Sequence, residues 1–297
     1  MTDALIAGIE LGGTKAIALI ARGQKILAEK RVPTTSPDET LGAVADWLGE
    51  QHRVAPFAAL GIASFGPLGL DRSRPDYGYI TATTKPGWDN ADVVGRFADL
   101  RVPIGLDTDV NGAALSEGRW GAAQGCSSHV YLTIGTGIGG GLAINGAAVH
   151  GLVHPEMGHC RLRRRADDAF AGICSFHGDC LEGLASGPAI TARTGLKGEA
   201  IPPDHPVWQD VAAEIAELLT SLILIASPQK ILLGGGVGMG QPQLVPMIRD
   251  AVDARLSGYV AGLNRKALET MIINPALGDQ AGPLGAIALG LDALARP

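Results

Sequence analysis

Aromatic residues make up only 4% of this 297-residue chain, and only four residues are cysteine. Because these cysteines are mostly gathered in one cluster of potential metal ligands, they fit a reducing compartment better than a disulfide scaffold. Basic residues are outnumbered by acidic ones, which gives a net charge of −6. Nucleic-acid-binding surfaces carry a basic stripe, so we expect no nucleic-acid partner.

Long hydrophobic runs are also missing. The N-terminus lacks a basic segment followed by an uninterrupted apolar core, so no signal peptide is expected. The most apolar stretch, residues 215–226, is broken by Glu217, Thr220 and Ser221 and is too short to span a bilayer. With 46% hydrophobic residues the chain can still bury a substantial core, and its length suits two domains of roughly 150 residues. We expect a cytoplasmic protein with no membrane partner.

Potential metal ligands cluster in one stretch. Three of the four cysteines and two of the seven histidines lie in residues 156–182. A closed tetrahedral Zn²⁺ site takes four such ligands, often as a tight group plus one distant residue, and is structural rather than catalytic. The predicted ligands are His159, Cys174, His177 and Cys180. Cys160 is the alternative to His159 as fourth ligand, and accidental clustering is the alternative to a metal site.

Two parts of the chain repeat the order strand, Gly/Thr-rich turn, strand. The first turn is Gly12-Gly13-Thr14-Lys15, and the second spans residues 135–141. Glycine permits close backbone approach to a phosphate, although either turn could be a plain hairpin. The repetition favours two similar domains that face each other across a cleft and hold one polyphosphate between their turns.

Polar or glycine-rich segments follow two further predicted strands. Asp107-Thr-Asp109-Val-Asn111 stands at the carboxyl end of a strand, where α/β sheets place their ligands, although Asp107 could instead cap the next helix. Gly234, Gly235 and Gly236 follow another strand and would let a nucleobase or ribose approach, with a simple tight turn as the alternative. Periodicity and capping signals also predict helices over residues 37–51, 90–100 and 184–195, and a strand over residues 270–273.

Together and in this order, these segments resemble the ROK family of sugar kinases over nearly the whole chain. Residues 10–15 resemble the first phosphate loop, residues 108–111 the segment with the catalytic Asp, and residues 135–141 the second phosphate loop. Residues 156–159 match the sugar-binding signature, and residues 234–237 resemble the nucleotide-side loop.

The resemblance implies the α/β actin-like (ribonuclease H-like) ATPase fold, with two similar domains that flank a cleft. The N-terminal domain would cover residues 1–118, with the closing helix 283–297 packed back onto it. The C-terminal domain would cover residues 119–282 and carry the zinc loop. Nine residues before Glu10 leave no room for the helix-turn-helix of family repressors, which favours a kinase.

The resemblance also implies roles for individual residues. Asp109 would be the general base that accepts the proton of the sugar hydroxyl. The sugar would be bound by Gly66, Asn90, Asp109, Glu156, His159 and Glu182. ATP would be bound by Gly12, Gly13, Thr14, Lys15, Thr136, Gly137, Gly139, Gly234, Gly235 and Gly236, with Mg²⁺ bridging phosphate oxygens. Zn²⁺ would brace the sugar-binding residues, and the protein would be a homodimer.

Departures from the family pattern narrow the choice of substrate. Many members have Cys-x-Cys-Gly-x-x-Gly-Cys, whereas this chain has Cys174-x2-His177-x2-Cys180, and Glu10 replaces the usual Asp. Both features are similar to the bacterial fructokinase branch, which implies ATP-dependent phosphorylation of D-fructose at the 6-hydroxyl. Alternatives are a glucokinase, a mannose kinase or an N-acetylhexosamine kinase. A non-catalytic sugar sensor is more remote because Asp109 is present, and a zinc-stapled scaffold leaves the two phosphate loops unexplained.

Overall fold

The computed structural model describes residues 4–296, which form two compact units. The first unit runs to Gln124 and also contains Gly146–His154 and the chain from Asp279 onward. The second unit contains Gly125–Asn145 and Pro155–Gly278.

The elements follow one another along both units. The strands are β1 (Leu5–Leu11), β2 (Lys15–Arg22), β3 (Lys25–Pro33), β4 (Ala59–Ser64), β5 (Ile104–Thr108), β6 (Ser128–Ile134), β7 (Ile138–Ile144), β8 (Ala147–Ala148), β9 (Lys230–Gly234) and β10 (Ile272–Ile273). The α-helices are α1 (Pro37–Val54), α2 (Asp109–Trp120), α3 (Leu181–Ala185), α4 (Gly187–Thr194), α5 (Val207–Ala226), α6 (Gly235–Gly240), α7 (Leu244–Leu256), α8 (Arg265–Met271) and α9 (Ala281–Ala295). Short 3-10 helices are Gly95–Leu100, Met157–His159, Gly198–Ala200 and Gly278–Gln280.

The first unit is built on a mixed sheet in the order β3-β2-β1-β4-β5. β2 runs antiparallel to both neighbours, whereas β4 runs parallel to β1 and β5. The last helix, α9, lies directly against the sheet because glycines leave room for its backbone. A Cβ at Gly61 would collide with the carbonyl of Ala286, and one at Gly105 would collide with the carbonyl of Leu289. Close approach of this kind is available only where the strand has no side chain.

The second unit repeats that arrangement. Within it the strands lie in the order β10-β9-β6-β7, with β6 antiparallel to β7 and parallel to β9. The first strand of each unit thus has an antiparallel hairpin partner on one side and a parallel partner on the other. The long helix α5 buries Trp208, Ile215 and Leu219 in the core of this unit. The predicted internal repeat and the predicted α/β class are confirmed.

Some predicted elements are wrong. Residues 90–100 form only a 3-10 helix from residue 95, because Asn90 adopts a left-handed conformation (φ 60°) and the Asp92 carboxylate accepts from the N–H groups of Val94 and Gly95. Residues 184–195 belong to two helices, and Ser186 caps the second by accepting from the N–H of Ala189.

The predicted strand over residues 270–273 is also only half correct. Two residues are in β10, and the preceding α8 was missed. Asn264 begins α8 by accepting from the N–H groups of Lys266 and Ala267, a side-chain cap that favours helix over strand. Over residues 4–296, no helix combines the length and apolar character that a membrane crossing requires.

Candidate active site

The parallel strands of the first unit bring its predicted site residues to one edge of the sheet. Leu11 pairs with Ser64, and Ser64 pairs with Thr108, so β1, β4 and β5 end in register. The first phosphate loop, Gly66 and Asp109 follow these three strand ends. This edge is where open α/β sheets bind ligands, as the sequence predicted.

Asp109 is the first residue of α2. Thr108 caps the helix, since its hydroxyl accepts from the N–H of Asn111 at 3.2 Å, and Asp109 Oδ1 accepts from the N–H of Val110 at 2.9 Å. The residue keeps part of its surface open to solvent, but burial of the carboxyl raises its pKa to about 6. A carboxyl with this pKa is mostly ionised at neutral pH and can still accept a proton efficiently.

Asp107 does not cap α2, contrary to the alternative considered from sequence. It is buried, and its Oδ1 accepts from the N–H of Thr108 at 2.8 Å and from Asn111 Nδ2 at 2.7 Å. Its Oδ2 lies 2.9 Å from Nε2 of His150, and this hydrogen bond raises the pKa of His150. Asp107 therefore fixes the backbone just before Asp109. Sequence reasoning missed His150, because nothing local links it to β5.

Glu10 stands next to the first phosphate loop. Burial, and then the charge of Asp109, raise its pKa to about 7, against the opposing effect of Lys15 and Arg31. Its carboxylate packs so closely on Gly282, in the first turn of α9, that a Cβ at that position would collide with it. The longer side chain that replaces the family Asp is thus accommodated by a glycine. Glu10 and Asp109 form an interacting pair of carboxyls.

Hydrogen bonds fix the base of the first phosphate loop, and its tip is open to solvent. The N–H of Gly12 donates to the carbonyl of Lys15, and Thr34 fixes both sides of the turn through the carbonyls of Gly12 and Thr14. A Cβ built on Gly13 would meet nothing within 4 Å. Gly13, Thr14 and Lys15 are exposed, so a phosphate would find room at the tip.

Two other predicted sugar-binding residues lie in irregular segments of this unit. Gly66 follows β4 and is half-buried, and Asn90 is exposed, with its N–H donating to the carbonyl of Ile80 at 2.8 Å. The segment after Gly66 is fixed by buried His154, whose Nε2 accepts from the N–H of Leu68 at 3.1 Å. His154 was not predicted from sequence, although it precedes the sugar-binding signature by two residues.

In the second unit, Glu182 contacts the second phosphate loop. Its Oε2 accepts from the N–H of Ile138 at 2.9 Å, and a Cβ on Gly137 would lie 2.7 Å from the same oxygen. Thr136 is exposed at the turn, whereas Gly139 lies inside β7 rather than in the turn. A residue predicted to bind sugar thus also positions the loop predicted to bind phosphate.

Of the three consecutive glycines, Gly234 ends β9, and Gly235 and Gly236 begin α6 rather than a tight turn. A Cβ on Gly234 would collide with the hydroxyl of Tyr131, and one on Gly235, which has φ 81°, would lie 2.6 Å from the backbone N of Ile134. Gly236 alone faces open space. Packing therefore accounts for the first two glycines, and Gly236 is the one available to a ligand.

The four predicted zinc ligands lie together. The ligand atoms of His159, Cys174, His177 and Cys180 are all within 4.8 Å of one another. His159 Nδ1 lies 3.7 Å from the Cys174 Sγ and 3.6 Å from the Cys180 Sγ, and His177 Nδ1 lies 3.7 Å from the Cys174 Sγ. Ligands of a tetrahedral Zn²⁺ lie roughly 3.5–3.8 Å apart, so the donor set fits this ion. Cys160 is exposed and lies outside the group.

Local backbone geometry explains how this group forms. Cys174 and Gly178 exchange two backbone hydrogen bonds around a turn in which Gly178 has φ 65°. Cys180 is buried at the start of α3. His159 ends a 3-10 helix that Glu156 precedes, and the Glu156 side chain is exposed. In the sequence, these four residues are flanked by two residues predicted to bind sugar, Glu156 and Glu182.

Comparisons with known proteins agree with this arrangement. The profile of the ROK family matches residues 6–293. The chain is 46% identical over 292 residues to a fructokinase of Zymomonas mobilis subsp. mobilis, covering 96% of each chain. It is 41% identical over 292 residues to a fructokinase of Pediococcus pentosaceus, covering 98% of this chain and 99% of the other. Among solved structures, a ROK hexokinase from Thermus thermophilus superposes with a TM-score of 0.78 at 28% identity, covering 97% and 98% of the two chains.

Proposed function

The chain belongs to the ROK family, and on that premise we propose that it is an ATP-dependent fructokinase that phosphorylates D-fructose at the 6-hydroxyl. The assignment of fructose as the substrate rests on the 46% identity to a fructokinase over nearly the full length of both chains. The Asp109 carboxyl, at the end of a parallel strand and with a raised pKa, supports the chemistry.

Asp109 acts as the general base in this proposal. As the sugar oxygen attacks the γ-phosphorus, Asp109 accepts the proton of the 6-hydroxyl, and ADP leaves with the electrons of the broken phosphorus–oxygen bond. Asp107 and His150 hold the strand end from which Asp109 projects. Thr108 is occupied as the helix cap and is therefore assigned no sugar contact.

The glycine turns bind the nucleotide. Gly13 and Gly137 offer backbone N–H groups, and the exposed hydroxyls of Thr14 and Thr136 add donors. The N–H of Gly12 is bonded to the carbonyl of Lys15, so Gly12 contributes the close approach of its backbone rather than a donor. Carboxylate oxygens are the donors that Mg²⁺ prefers, so Glu10 and Asp109 are the residues that would hold the ion, which would supply positive charge next to the phosphates of ATP. The pKa values of Glu10 and Asp109 are raised, so a bound cation would stabilise the ionised form of both carboxyls.

Sugar hydroxyls are bound by Glu156, His159 and Glu182 in this proposal, and Gly66 and Asn90 of the first unit are further sugar contacts. Zn²⁺ held by the cysteine and histidine group would be structural and would take no part in the transfer. The carboxylates of Glu156 and Glu182 flank its four ligands in the sequence. The cytoplasmic location and the homodimer remain predictions.

Fructose is expected to be the preferred hexose. Each buried polar group left without a partner by the wrong sugar costs about 1–3 kcal/mol, so one or two mismatches separate hexoses by roughly 10²-fold in kcat/KM. We expect this margin over glucose, mannose and N-acetylated hexoses when ADP release is coupled to a spectrophotometric signal. A higher kcat/KM for any of these would refute the substrate and leave the kinase intact.

The activity is expected to fall in acid. Because the ionised form of Asp109 is the active one and its pKa is raised to about 6, kcat/KM for fructose should increase through pH 6 and then level off. Glu10 interacts with Asp109, so the apparent value belongs to the pair. The profile should be measured between about pH 5 and pH 8, with circular dichroism at each pH as the control for folding. A level profile in a protein that stays folded would contradict the assignment.

A further inference from the structure

Residues 81–90 form a loop without regular structure that contacts the first phosphate loop. Trp88 anchors it, since the indole is fully buried and its Nε1 donates to the carbonyl of Thr35 at 2.7 Å. Three further bonds shape the loop: the N–H of Trp88 donates to the carbonyl of Lys85, the N–H of Lys85 to the hydroxyl of Thr83, and the N–H of Thr83 to Asp89 Oδ1. The loop therefore has a defined conformation, and Lys85 has a defined position in it.

The side chain of Lys85 reaches the tip of the phosphate loop. Its Nζ donates to the carbonyl of Gly13 at 2.7 Å, although the two residues are 72 positions apart in the sequence. Over residues 4–296, no carboxylate lies within 4.0 Å of this ammonium group. An ammonium group has three N–H donors, so two remain available. They stand next to Gly13, where a Cβ would meet nothing within 4 Å.

We propose that Lys85 binds the γ-phosphate of ATP and follows the phosphoryl group during its transfer, an inference that rests on the proposed ATP-dependent activity. The transferred group carries its charge on oxygens, and a positioned cation stabilises it. Lys85 supplies that cation from a loop that also contains Asn90, which is assigned to the sugar. The loop thereby connects the hexose to the phosphate that it receives.

A comparison of how tightly an ATP analogue and ADP bind distinguishes this role of Lys85 from a purely structural one. Lys85→Met keeps the aliphatic stem and removes the ammonium group. A charge-assisted contact with the γ-phosphate predicts that the Kd of a non-hydrolysable ATP analogue increases by about 10–100-fold, while the Kd of ADP changes by less than about threefold. Both should be measured by isothermal titration calorimetry with Mg²⁺ and saturating fructose, and kcat should fall in the same variant.

Lys30→Met is the matched control, because Lys30, in β3, also donates to a backbone carbonyl, that of Ala43 in α1, and has no contact with the first phosphate loop among its hydrogen bonds within residues 4–296. It should leave both Kd values unchanged. Lys85→Gln is a second neutral variant in case the methionine disturbs folding, and Lys85→Arg should retain most of the preference for the ATP analogue. Equal weakening of the two nucleotides, or no weakening, would overturn the proposal.

The outcome for Lys85 can be separated from the outcome for the substrate. If the wild-type protein phosphorylates another hexose, the comparison of the two nucleotides still tests Lys85 in the presence of that sugar. If the wild-type protein binds neither nucleotide, both the kinase and the role of Lys85 are refuted.

Discussion

The Asp109→Asn variant is expected to fold normally, bind ATP and fructose, and turn over about 10²–10⁴ times more slowly. Asparagine retains an oxygen that can accept the N–H of Val110, and Thr108 caps α2 independently of residue 109. Only the ability to accept the proton of the hydroxyl is lost. The measurements are kcat by coupled ADP release and the Kd of each ligand by calorimetry.

Thermal unfolding adds a signature that distinguishes a catalytic carboxylate from a structural one. The pKa of Asp109 is raised, so its negative charge is less favourable in the folded protein than in the unfolded chain. Removal of that charge should leave the midpoint of unfolding at neutral pH unchanged or higher. Asp46→Asn, at an exposed position on α1, is the control and should change neither kcat nor the midpoint. Near-normal turnover by a folded Asp109→Asn variant would refute the assignment of Asp109 as the general base.

Local signals in the sequence were sufficient where a structure depends on neighbouring residues. The capping pattern that begins at Ser36 predicted α1, and the Ser36 hydroxyl does accept from the N–H of Glu39. The spacing of Cys174, His177 and Cys180 predicted a group that the structure brings together. The repeated turns predicted the repeated sheets.

Contacts between distant residues were not predictable in this way. His150 reaches Asp107, His154 reaches Leu68, and Lys85 reaches Gly13, and each pair is joined only by the fold. The segment with Lys85 has no periodicity and no motif, so nothing in the sequence distinguished its lysine from the others. The helix predicted to begin at Asn90 was wrong for a related reason. The left-handed backbone of Asn90 follows from contacts of the loop rather than from helix propensity.

Charged residues fix one part of the segment between His159 and Cys180 through contacts that do not involve the four predicted zinc ligands. Arg164 forms ion pairs with Asp168 and Asp179, and Arg193 lies over the ring of Phe170, 4.6 Å from its centroid. These contacts tie residues 164–170 to α4. In contrast, residues 173–177 expose Ile173 and Phe176 and so contribute little to the core.

The largest effect on stability is expected from removal of the metal. We expect one Zn²⁺ per chain in the purified protein, and a structural zinc contributes on the order of 10 kcal/mol to the local fold. Cys180→Ala should therefore lose the ion and increase hydrogen exchange in residues 171–180, while residues 164–170 keep their protection. The KM for fructose should increase roughly 10-fold or more, because Glu182 lies in the first turn of α3, which begins directly after the substituted position 180.

Cys160→Ala is the matched control, since Cys160 is exposed and lies outside the ligand group. It should retain one Zn²⁺ and the wild-type exchange pattern. Zinc content is measured by mass spectrometry of the metal after dialysis, and exchange is measured on the same samples. Wild-type protein without zinc would refute the site. Full zinc and unchanged exchange in Cys180→Ala would show that the ion is held by other residues, because loss of a buried thiolate ligand from a closed tetrahedral site leaves the metal with three partners and an open position.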